Sequence, residues 1–222
     1  MFDLTPFGTS LAIAALVGVL LWFTFGTQAN VRRGNAILRW LQGGLPRFGK
    51  RATLRWLGSS AATLQIVQPA APFREVTVLV VLEPRDIPFI WAFTRARRRR
   101  DLIIVRAALQ RAPTFDFEAS SDASWLTAED IDDESGWRAI DWAPGASAIA
   151  NLDPGPGYLG AIREAWSALN EVPTEVWRIS VRRTVPHLEL HVRPPDDARA
   201  NADRLVEPIR RLAIALSPDT PV

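Results

Sequence analysis

No charged side chain interrupts the sequence between Asp3 and Arg32. Within that run, Phe7 to Thr27 forms a helix of about 30 Å at roughly 1.5 Å per residue, the thickness of a hydrocarbon core. A backbone in lipid must satisfy its own hydrogen bonds, and a helix does so within one segment. Trp22, Phe23 and Phe25 stand at the end nearest Arg32 and Arg33, where an aromatic belt belongs. The opening MFDLTPFG carries an acid where a cleaved leader wants a positive charge, and GTQAN makes a poor cleavage site. Residues 1–31 are therefore read as a short external terminus and a retained transmembrane helix. Ser10, Ala14 and Gly18, four apart, put small side chains on one face and permit close approach of another helix.

The pattern changes after the run. In NAILRWLQGG, Ile37, Leu38, Trp40 and Leu41 share one side of a helix, Arg39 lies off it, and Gly43, Gly44 and Pro46 end it. Residues 32–50 read as a basic juxtamembrane segment whose short helix either lies in the headgroup layer or packs on its own domain. From residue 51 the period shortens to that of strands. ATLRWLG and AATLQIV flank a Gly58-Ser59-Ser60 turn, and REVTVLVVLEP is a strand too continuously apolar to face water on either side. A helix begins near Pro88. DLIIVRAALQRA reads as a strand, though its Ala-Ala-Leu half also suits a helix.

The stretch from Thr114 to Trp137 reads as an acidic loop, with one helical turn from Thr127 to Glu134. SAIANL is a weak strand, and GYLGAIREAWSALNEV is a helix with Ile162, Ala165, Trp166 and Leu169 on its apolar face. EVWRISVRR and HLELHVRP form a hairpin. Asp196 to Ser217 is a helix with Pro208 inside it. Strands relieved by a few helices predict an α+β domain over 51–222, with a mostly antiparallel sheet covered by helices on one face.

Composition adds limits. The absence of cysteine removes disulfides, thiolate metal sites and a cysteine nucleophile. A net charge of +2 is too small to imply nucleic-acid binding by itself. Its distribution says more. Arg32, Arg33, Arg39, Arg47, Lys50, Arg51 and Arg55 follow the span with no acid among them, which places this side in the cytoplasm and the amino terminus outside.

HLELH is the sharpest chemical pattern. On a strand, His187, Glu189 and His191 project to one face. Two imidazoles and a carboxylate suit Zn²⁺, or Fe²⁺ with open positions. Alternate residues are about 7 Å apart, however, and Arg178, Ser180 and Arg182 are the expected cross-strand neighbours. Arginine beside a metal is unfavourable, so a solvated face of cross-strand pairs is the stronger expectation. GPGYLG (155–160) matches G-x-G-x-x-G, but Pro156 removes an N–H and a hairpin follows where a parallel strand is needed. RARRRRD (95–101) makes a cationic patch suited to anionic lipid headgroups, with Arg97, Arg98, Arg99 and Arg100 at its centre. DIDDESG resembles a calcium loop only loosely, because Ser135 stands where glycine is required.

No local motif signals a catalytic triad, a P-loop or a metalloprotease. The expected function is non-enzymatic: an accessory, scaffolding or assembly module of the inner (plasma) membrane, without a cofactor. It would meet the lipid bilayer, anionic headgroups, and other membrane proteins or copies of itself, through Ser10, Ala14, Gly18, Trp22, Arg32, Arg33, Trp40 and Arg97 to Arg100. Nucleic acid is not an expected partner. The alternatives are a membrane-tethered metal enzyme or sensor using His187, Glu189 and His191, and a peripheral reader of anionic lipid or nucleic acid through Arg95 to Arg100.

Overall fold

One helix, α1 (Thr5–Gln42), carries the chain through the apolar run and the basic segment behind it. The computed structural model describes residues 5–97, 99–121, 136–171, 174–195 and 202–217. The short helix expected in the basic segment is the carboxyl-terminal end of this same helix, since no proline interrupts QANVRRGNAILRW. The two parts of α1 differ in surroundings instead. From Gly8 to Phe25 every side chain is exposed, and this helix alone among those described is long and apolar enough to cross a membrane. From Gly26 onward a stripe turns inward: Gly26, Asn30, Gly34, Ile37, Leu38 and Leu41 are buried. Gly34 is required there, because a Cβ would lie 2.4 Å from the Trp56 ring.

Behind α1 a 3-10 turn (Leu45–Arg47) leads into nine strands. These are β1 (Ala52–Trp56), β2 (Ala61–Ile66), β3 (Phe73–Val81), β4 (Leu102–Leu109), β5 (Asp116–Ser120), β6 (Trp137–Ile140), β7 (Ser147–Asn151), β8 (Glu175–Val181) and β9 (Leu188–Arg193). They form one sheet in the order β1-β2-β3-β4-β9-β8-β5-β7-β6, with every pairing antiparallel. The remaining helices are α2 (Pro88–Ala96), α3 (Gly155–Asn170) and α4 (Asp203–Ala215). The α+β class, the antiparallel sheet and the β8–β9 hairpin are as the periodicity predicts.

The core occupies one face of the sheet. Val76, Val78 and Val80 of β3 align with Ala107, Val105 and Ile103 of β4, and these with Leu188, Leu190 and Val192 of β9. All belong to one buried cluster that also contains Ile162 and Leu169 of α3, Val206 and Leu212 of α4, and Ile37 and Leu41 of α1. So β3 is not enclosed on both sides; its Thr77, Leu79 and Val81 are only partly buried on the opposite face. The Ala-Ala-Leu end of β4 is strand throughout. Two strands lie in or beside the stretch read as loop. In β5, Phe117 and Ala119 point into the core while Asp116, Glu118 and Ser120 point away. β6 is a short edge strand. Residues 122–135, which hold the expected Thr127 turn and the DIDDES acids, lie outside the described residues, as does Arg98.

Candidate functional site

Two polar clusters stand out, one where α1 enters the domain and one on the sheet face away from the core. The entry edge is formed by the ends of β3 and β4 at Val81 and Leu102 and by the start of β2 at Ala61. Asp101, which closes the RARRRRD patch, lies here with its side chain only 7% exposed. It accepts hydrogen bonds from Arg33 Nε at 3.0 Å, Arg85 Nη1 at 3.0 Å, Arg85 Nη2 at 3.2 Å and the Glu83 backbone N–H at 2.9 Å. Arg85 Nη1 also donates to Asn30 Oδ1, and Arg33 Nη2 to the Pro195 carbonyl. Burial opposes ionisation of Asp101. The Arg85 hydrogen bond, the Glu83 amide and Arg33 outweigh it and hold the carboxyl below its usual range.

This cluster ties α1 to the sheet. Two further contacts lie beside it: Trp22 Nε1 donates to the Arg85 carbonyl at 3.0 Å, and Gly26 sits so close that a Cβ would meet the same oxygen at 2.3 Å. Arg33 is thus an internal tie and not a surface contact, because Asp101 would otherwise be a buried, unpaired charge. Trp40 is 6% exposed and packed within the core, so its helix takes the second of the two placements expected for it, on its own domain. Ser10, Ala14, Gly18 and Arg32 are exposed along α1. Trp22 is partly exposed and packs its ring 6.0 Å from Trp91 of α2. Gly18, Trp22, Gly26, Arg85 and Trp91 line a lateral groove between α1 and α2 of about 510 Å³. Arg97, Arg99 and Arg100 follow the end of α2. Sequence reasoning missed Asn30, Arg85 and Asp101 as a unit. The available signal was polar residues placed against an apolar run and directly behind the best strand.

On the other cluster, the register places the HLELH residues as expected. Arg178 pairs with His191 and Ser180 with Glu189, and the Arg182 N–H donates to the His187 carbonyl. Glu189 Oε2 takes Arg106 Nε at 2.6 Å, while Oε1 lies 2.7 Å from His191 Nε2 and 3.8 Å from Arg178 Nη1. Arg178 Nε also meets Glu118 Oε1 at 2.6 Å, and Glu118 Oε2 accepts from Arg182. The result is a chain of alternating charge across β4, β9, β8 and β5. His191 is the first cause holding the Glu189 carboxyl down to about 2; burial opposes it and Arg106 adds to it.

The arrangement is a cross-strand ion-pair network. Among the described residues, no three His, Asp or Glu side chains converge as metal ligands. His187 is turned to another use: its Nδ1 accepts the Leu109 backbone N–H at 3.0 Å. GPGYLG starts α3, where Asp153 Oδ1 accepts the Gly155 N–H at 2.8 Å, and among the described residues the sheet offers no parallel strand for a dinucleotide fold.

His187 supplies a pH prediction. Burial first, and then the charge of Arg74, lower its pKa. The unfolded chain therefore binds more protons than the folded one just below the ordinary histidine value. Stability is fully present above about pH 6.5 and falls as the pH drops toward the lowered folded value. Protonated Nδ1 can no longer accept the Leu109 N–H. The urea midpoint should drop between pH 7 and 5, and the slope should flatten in His187→Gln. An unchanged slope in that variant would refute the assignment.

No protein-family model matches this chain, and no curated protein matches its sequence.

Proposed function

We propose that the protein is a single-pass membrane-anchored accessory, scaffolding or assembly module. In this reading α1 crosses the inner (plasma) membrane with its amino terminus outside, and the α+β domain works at the cytoplasmic leaflet. The observation that carries it is the continuity of α1. One rigid helix is apolar and exposed at one end and built into the domain core at the other. A helix bound in the bilayer at the Ser10-Ala14-Gly18 face would thereby fix the position and orientation of the whole domain. The positive flank from Arg32 to Arg55 supports the topology. The polar clusters support a structural role, since their carboxylates are committed to arginines of the same chain.

Purification of the full-length protein in mild detergent, with its native mass measured, tests the reading. A defined complex, of this chain alone or with another membrane protein, is the expected species. Gly18→Leu should dissociate it, because a leucine side chain keeps two helix backbones apart. A wild-type protein that is monomeric in both detergent and bilayer would refute the proposal.

A further inference from the structure

We infer that α2 lies in the headgroup layer of the bilayer, with Phe89, Ile90 and Phe93 inserted among the upper acyl chains beside α1. The inference rests on α1 spanning the membrane and adds a second, non-spanning contact. Phe89 is 83% exposed, Phe93 57% and Ile90 47%, and Ile87 just before the helix is 43% exposed. At positions i, i+1 and i+4 these side chains share one face, while Trp91 and Thr94 on the other side are partly buried. A nine-residue helix that gives water two phenylalanines and an isoleucine is poorly accounted for by solvent alone.

The position of α2 identifies the occupant. Trp22 stands about 22 Å along α1 from Phe7 at roughly 1.5 Å per residue, so it falls in the last two turns of the span from Phe7 to Thr27. α2 touches α1 at that level through Trp91 against Trp22, and Arg85, just before α2, binds the Trp22 indole through its carbonyl. Phe89, Ile90 and Phe93 are thus carried on a helix held against α1 at that level. Charge fits as well. Arg97 lies with its guanidinium 4.3 Å from the Phe93 ring centre, and Arg99 and Arg100 follow. Among the described residues no carboxylate pairs with Arg97, Arg99 or Arg100. An aromatic face with arginines at its border is the composition of an interfacial helix on an anionic leaflet.

The absence of cysteine makes the test direct. Single cysteines at Phe89 and Phe93 are labelled with bimane in the full-length protein, reconstituted in phosphatidylcholine–phosphatidylglycerol vesicles. Val17→Cys reports on the span. Val67→Cys and Val185→Cys report on the opposite edge of the sheet, and both residues are exposed. Lipids carrying a nitroxide near the carbonyl end of the acyl chain should quench most of the emission at Phe89 and Phe93 and none at Val67 or Val185. Lipids carrying it near the methyl end should quench Val17. If Val17 is quenched while Phe89 and Phe93 behave like Val67, the inference is overturned and the span stands. If Val17 is not quenched either, the spanning reading itself fails and the inference falls with it.

Discussion

A chain that begins at residue 51 should aggregate or stay unfolded, whereas one that begins at Thr27 should fold as a soluble domain. The shorter chain discards Ile37, Leu38, Trp40, Leu41 and Phe48, all at most 6% exposed and all in the central cluster. Phe48 also packs edge-on against Phe73 of β3 at 5.5 Å. At about 1.5–3 kcal/mol for each large apolar side chain, their burial contributes roughly 10 kcal/mol, an upper figure because unfolded chains already bury some surface. Whole domains are stable by only about 5–15 kcal/mol. The longer chain keeps these residues and also Asn30, Gly34 and the Arg33–Asp101 pair. Far-UV circular dichroism and urea unfolding of the two chains check the point. Cooperative unfolding of residues 51–222 would show that the carboxyl-terminal half of α1 is dispensable.

That prediction turns on what could be read from the pattern of residues. Between residues 51 and 217 the strong periodic segments, β3, β4, α3, α4 and the β8–β9 hairpin, were legible because each repeats apolar positions over two or more turns or pleats. β5 was obscured by its outward acids: Asp116 and Glu118 give the segment the composition of a loop, although Phe117 and Ala119 keep the inward rhythm. That one helix carries both the span and the basic segment was missed for a different reason. Arg32 and Arg33 mark a change of solvent, and a change of solvent need not end a helix. The backbone hydrogen bonds continue while the partner of one face passes from open surface to protein. The HLELH face was legible down to its neighbours, since strand alternation and a hairpin fix the register. The Asp101 cluster was not. The partners of Asp101 lie 16 to 68 residues from it, and only the antiparallel return of β3 and β4 brings Arg85 and Asp101 together beneath α1.

Replacing Asp101 with alanine should be the most damaging single change on the entry edge. Removing one partner of a buried ion pair costs about 3–5 kcal/mol, because the charges left behind remain desolvated. Here two guanidiniums, both only 23% exposed, lose their common carboxylate, and the Glu83 amide loses its acceptor. Arg106→Ala on the sheet face makes a fair comparison. Arg106 is 50% exposed, and pairs of that kind contribute at most about 1 kcal/mol. The variants should also differ in acid. The folded-state pKa of Asp101 lies below the unfolded value, so its contribution is present above about pH 4 and is lost as the pH falls through the lower folded value. Asp101→Ala should lose that part of the acid sensitivity, and Arg106→Ala should retain it. Hydrogen exchange at residues 26–34 separates a loosened α1 from general destabilisation. Faster exchange confined to that stretch is expected, since Asn30 and Arg33 are tied to the domain through Arg85 and Asp101. Equal costs for the two variants, with no local change in exchange, would mean that the buried stripe of α1 holds the domain by packing alone.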